Sequence, residues 1–141
     1  MAIYDSQTQS KSTRNSRNYR DIDLDFARNP VTNDVNVVED VIAVKRSVRN
    51  LIQTNFYERP FHPEIGCGVR ELLFENFTPV TGIFIQRKVE EVITNYEPRA
   101  RISSVTVNEQ PDRNGIDVTV YFYVMNMPNP VSVTTVLQRI R

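Results

Sequence analysis

At 141 residues with a formal net charge of zero, the chain has one domain's worth of core and lacks the cationic excess of a general polyanion binder. No stretch approaches the ~18 consecutive apolar residues of a membrane span, and the polar first twenty residues lack the apolar run of a secretory signal. The single cysteine, Cys67, excludes an internal disulfide and a thiolate zinc cluster, so an intracellular assembly site with no membrane partner is the expectation.

Residues 1–20 are rich in Ser, Asn, Gln and Arg, and they set Lys11, Arg14, Arg17 and Arg20 against Asp5, a net +3 that leaves −3 for the rest. Such a segment cannot bury itself, so it is read as a flexible basic arm preceding a domain over 21–141. An arm that orders along an acidic partner surface is the sharper reading of the same residues.

Within the domain, IDLDF alternates Ile22, Leu24 and Phe26 with aspartates, which predicts a short strand with one apolar face. Asn29-Pro30 and Asn33-Asp34 mark a loop. Asn36 with Glu39 three residues on predicts a capping box, and Val41, Val44, Val48, Leu51 and Ile52 carry a helix to about residue 54. Lys45, Arg46 and Arg49 fall on its solvated faces. Residues 55–70 are irregular, because Pro60 and Pro63 remove donors while Gly66 and Gly68 permit unusual backbone angles. A short helical turn, ELLFEN, follows with Leu72, Leu73 and Phe74 as an apolar plug.

Thr78-Pro79 is an N-cap followed by a first-turn proline, and Ile85, Val89, Val92, Ile93 and Tyr96 form the buried stripe of a second long helix. Arg87 and Glu91 are spaced to pair on its outside, and Pro98 stops it. Ile102, Val105 and Val107 predict a strand that slips register near Ser103-Ser104. Asn114-Gly115 makes a turn into an unbroken alternation of Ile116, Val118, Val120, Phe122 and Val124. Val131, Val133, Thr135 and Leu137 then share one side of a segment that is either a lateral strand or a reaching arm. The fold class is α+β, two main helices packed on a mainly antiparallel sheet.

Catalytic chemistry finds little support. Cys67 would need His62 as a base, yet the loop that holds them, with its two prolines and two glycines, already has a structural explanation. No cluster at metal-ligand spacing and no phosphate-cradling glycine loop occurs, so no cofactor is expected. Among the carboxylates open to glycosidase work, Glu58, Glu64, Glu75 and Glu97, the first and last stand beside Arg59 and Arg99, which lower a pKa that a general acid must raise. Tyr121 and Tyr123 do not interleave with basic residues as single-strand platforms do, so no specific nucleic acid is expected and they pack under the helices or meet a protein. Glu97-Pro98-Arg99 is either a charged helix stop or a fixed ion-pair surface.

The order DIDLDF, then AVKRSVRNLIQTNFYERPFHPEIGCGVRELLFE, then a helix ending in YEPR before a three-strand tail resembles the small baseplate wedge proteins of contractile tails. This is the sheath-initiator family, found in T-even phages and among type VI secretion baseplate subunits. The resemblance covers about residues 20–141. It implies a fold similar to the interlocking domain of tail-sheath proteins, and a non-enzymatic virion protein of the tail baseplate, assembled in the host cytoplasm. Glu97, Pro98 and Arg99 are implied to hold the helical core bundle of the wedge, with Glu58 and Arg59 as a further contact loop. The strand carrying Val131, Val133, Thr135 and Leu137 is expected to accept strands of the first sheath ring; the tail tube and neighbouring baseplate proteins are further partners. Many relatives carry glycine where this chain has Tyr57, which puts that turn's geometry in question. The competing readings are a lysozyme-like enzyme that degrades cell wall and a nucleic-acid-binding adaptor using the basic arm.

Overall fold

The computed structural model describes residues 19–110, 112, 114–125 and 127–138, so all but the last two residues of the basic arm lie outside the described residues. In chain order the elements are β1 (Arg20–Ile22), β2 (Val37–Glu39), α1 (Asp40–Gln53), α2 (Val69–Leu72), α3 (Pro79–Tyr96), β3 (Ala100–Gln110), β4 (Gly115–Val124) and β5 (Pro130–Gln138). The last three strands form an antiparallel sheet in the order β3–β4–β5, and β1 and β2 form a separate antiparallel pair.

Alternation in β4 decides where the core sits. Ile116, Val118, Val120, Phe122 and Val124 are all buried on one face, where α3 packs over β3 and α1 over β5. From the helices come Val44, Val48, Leu51 and Ile52 of α1 and Ile85, Val89, Val92 and Ile93 of α3, all at helical spacing and all buried. The Thr78 hydroxyl accepts the Thr81 amide at 3.2 Å, so the threonine-proline start of α3 is a true cap. Between Ile102 and Ser104 the β3–β4 register shifts, the bulge that the broken alternation predicts.

The N-terminal part departs from expectation twice. Ile22, Leu24 and Phe26 do not form a buried face: they are 63%, 57% and 69% exposed, and the strand stops at Ile22. Asp23 is the cause, since its carboxylate turns inward to accept the Asp25 amide and the Arg46 guanidinium, a local turn that outcompetes strand pairing. Nor does a helix open at Asn36. The β-branched Val37 and Val38 pair with Ile22 and Asp21, and α1 begins at Asp40. Glu39 makes no side-chain cap; its carboxylate meets Arg20 at 2.8 Å.

Smaller differences follow from packing. Leu73 is buried, but Phe74 is 73% exposed and does not plug the core. Tyr96 sits at the end of α3 with its ring half out and its hydroxyl donating to the Glu64 carbonyl at 3.3 Å. On the outside of α3 the hydrogen-bonded pair is Gln86 with Glu90, one residue before the predicted Arg87–Glu91 pair. Tyr121 and Tyr123 lie on the sheet face away from the helices and stay exposed, so they do not pack beneath them.

Candidate partner-binding site

The helix stop is also a buried ion-pair centre. The Glu97 amide closes α3 on the Ile93 carbonyl at 2.8 Å, and Pro98 then fixes the turn that starts β3. That turn folds Arg99 back on Glu97: Nε donates to Oε1 at 2.6 Å and Nη2 to Oε2 at 2.8 Å. The other edge of the guanidinium is also taken, with Nη1 and Nη2 donating to the two Asp21 oxygens at 2.9 and 3.0 Å. The Tyr19 ring lies 5.6 Å from the guanidinium carbon. Relative exposure falls from 34% at the Asp21 side chain through 23% at Arg99 to 3% at Glu97, so the pair is wet only on the Asp21 side.

The electrostatics agree with this geometry. Burial by itself would raise the Glu97 pKa, but the hydrogen bonds from Arg99 and from Ser47 of α1 outweigh it and hold the carboxyl below its usual range. Glu97 and then Asp21 push Arg99 further up, so it is a permanent cation. Glu97-Pro98-Arg99 therefore joins three parts of the chain, β1 through Asp21, α1 through Ser47 and the α3–β3 corner itself. The sequence reading missed Asp21, Ser47 and Tyr19; the only hint was the row of aspartates in DIDLDF.

In the 55–70 loop the two expected contact residues part company. The Glu58 carboxylate accepts the Asn55 amide at 2.8 Å and its Nδ2 at 2.7 Å, and these bonds lower its pKa. Glu58 is thus engaged in building the loop, whereas Arg59 is exposed and lines a groove shared with Asp21 and Ser47. The loop and the Arg99 cluster consequently meet on one surface. Tyr57 has φ 67°, the left-handed region that glycine favours and a tyrosine adopts only under strain. Gly66 and Gly68 do the closing. A Cβ on Gly66 would stand 2.5 Å from the Asn55 carbonyl carbon, and Gly68 has φ 60° against the Phe56 ring.

Cys67 is fully buried, and desolvation pushes its pKa up to about 12. His62 bonds Glu64 through Nδ1 at 3.1 Å, so the thiol has neither the exposure nor the base of a nucleophile. Among the described residues no cluster of His, Cys, Asp and Glu could hold a metal ion. In β5, Val133, Thr135 and Leu137 point into the core with Val131 half-buried beside them. What this strand leaves open is its outer backbone edge, because β5 is an edge of the sheet among the described residues.

Comparison with known proteins places this architecture. The family model described as baseplate wedge protein gp25 matches residues 38–129. Baseplate wedge protein gp25 of Enterobacteria phage T4 is 34% identical over 113 residues, spanning 80% of this chain and 85% of the relative. Three solved structures share the fold. A crystal structure from Geobacter sulfurreducens with a provisional tail-lysozyme description has a TM-score of 0.64 at 21% identity, covering 71% of this chain and 91% of that one. A chain of the anti-feeding prophage baseplate gives 0.61 at 24%, covering 86% of both chains. A chain of the type VI secretion baseplate complex gives 0.56 at 18%, covering 70% of this chain and 94% of that one. With its sheet, its two helices and its Glu97–Arg99 corner inside or beside the matched span, the chain belongs to the gp25 family of baseplate wedge proteins.

Proposed function

We propose that this protein is a structural, non-enzymatic subunit of a contractile-tail baseplate wedge, resident in the virion tail. In this reading it binds the helical core bundle of the wedge and templates the first ring of tail sheath. The wedge role is carried by one observation, the 34% identity to a baseplate wedge protein along most of both chains.

The bundle contact is assigned to the surface around Pro98, with the partly exposed Arg99–Asp21 rim and Arg59 facing outward. Glu97 acts from below by fixing the guanidinium plane. The sheath contact is assigned to β5, whose inward residues Val131, Val133, Thr135 and Leu137 hold the strand in register while its free edge offers backbone donors and acceptors to a donated strand.

Negative-stain imaging of particles assembled without this chain tests the whole reading. The expected result is tail tubes that carry no extended sheath. Full-length sheath on particles lacking the chain overturns the templating role.

A further inference from the structure

The three cations of α1, Lys45, Arg46 and Arg49, have different surroundings. Arg46 is neutralised by Asp23 and Asp25, whereas Lys45 and Arg49 have no hydrogen bond or ion pair among the described residues. Ser47 shows which way these two face. It bonds Glu97 at the α3–β3 corner, so its side of α1 is turned towards α3. Lys45 and Arg49 lie two residues before and after it, each about 200° around the helix, on the flank opposite α3. Because α1 packs over β5 and β5 is a sheet edge among the described residues, that flank overhangs the open edge.

A strand added to β5 lies about 4.8 Å beyond it, under this flank. Four residues of helix advance about 6 Å and two residues of strand about 6.7 Å, so alternate side chains of the added strand keep step with Lys45 and Arg49. The helix row and the strand also end together. Gln53, one turn past Arg49, shares with Leu73 and Leu137 a pocket of about 550 Å3. Phe74, which is 73% exposed, and Val136 add apolar surface to that pocket, and polar side chains complete it. An occupant of this edge therefore meets two unmatched cations and then a partly apolar pocket, at alternate inward positions.

We propose that β5 selects its incoming strand by charge, taking an acidic segment that sets two carboxylates on Lys45 and Arg49 and an apolar side chain in the pocket at Gln53. The inference rests on the strand-addition reading of β5 and names the chemistry of the segment it takes. Backbone pairing along the edge gives affinity without sequence preference. The α1 row adds the preference, reading an acid–x–acid–x–apolar pattern in the direction from Pro130 to Gln138. It also fixes register, because a slip of one residue turns both acids to the other face of the sheet.

The test uses the full chain co-expressed with the sheath protein of the same tail, with recovery measured after affinity purification at low and high salt. Lys45→Glu combined with Arg49→Glu is expected to lower recovery roughly tenfold or more with unchanged melting, because acids then face acids. Lys45→Gln combined with Arg49→Gln is expected to fall between and to lose the salt dependence of the unaltered chain. A photo-crosslinking residue in place of Gln53 is expected to reach a sheath segment with two acids at alternate positions beside an apolar residue. Lysines at those two acids are expected to restore recovery by the charge-reversed chain. Wild-type recovery by the charge-reversed chain, or a crosslink to a sheath segment without acids, overturns charge selection and leaves strand addition standing. Failure of the unaltered chain to recover sheath protein overturns both.

Discussion

Arg99 has four hydrogen bonds to two carboxylates, and one of those carboxylates is almost without solvent. Removing the guanidinium strands the Glu97 charge in the core, so Arg99→Ala should destabilise the free protein by on the order of 3–5 kcal/mol. Arg99→Lys should recover part of this. The check is thermal melting of the isolated chain, and a melting point within a degree of wild type would show that the cluster opens to water. The Glu97 carboxyl also sets a pH dependence. Its folded pKa is depressed, so the unfolded chain binds more protons and the stabilisation is present above the ordinary value of 4.5. It is lost as pH falls from there through the folded pKa. Glu97→Gln should flatten that acid limb of the melting curve while lowering stability at neutral pH. Tyr57 makes the opposite prediction. Its ring is 85% exposed on a left-handed backbone, so Tyr57→Gly should relieve strain, offset by glycine's chain entropy, for a net gain of about 1 kcal/mol. A lower melting temperature would mean that the ring is packed rather than exposed.

At the scale of elements, legibility in the sequence followed the range of the deciding interaction. The cap at Thr78, the stop at Pro98 and the run from Ile116 to Val124 are set by neighbours within a few residues, and all stand where the pattern placed them. The entry to α1 was not legible, because Val37 and Val38 are claimed by strand residues Ile22 and Asp21, far back along the chain. The candidate site shows the same division. Glu97 and Arg99 could be singled out locally, yet their third partner, Asp21, lies 78 residues from Arg99. The family match begins at residue 38, so β1, which supplies Asp21, stands outside the matched span. For α3, Thr78→Ala removes the one side-chain cap of its N-terminus and should cost about 1 kcal/mol, measured by chemical denaturation. An unchanged midpoint would assign the start of the helix to Pro79 and packing alone.

For the whole molecule the sharpest question is whether a fold shared with a protein described as a tail lysozyme carries any hydrolysis. Glycoside cleavage needs one carboxyl kept protonated near neutral pH beside a second that is ionised. Glu58, Glu64 and Glu97 are all shifted the wrong way. Glu58 is held low by Asn55, Glu64 by its own backbone amide and then His62, and Glu97 by Arg99 and Ser47 despite a burial that would raise it. A cation or amide donor at each site favours the charged form, which cannot protonate a leaving group. The same hydrogen bonds are the ones that hold the loop and the Arg99 corner in shape, so structure and acid catalysis make opposing demands on these side chains. The purified protein is therefore expected to leave peptidoglycan intact from acid to neutral pH, read as constant turbidity of a cell-wall suspension. Lysis that disappears in Glu58→Gln or Glu97→Gln, with the variant still folded, would sink this expectation.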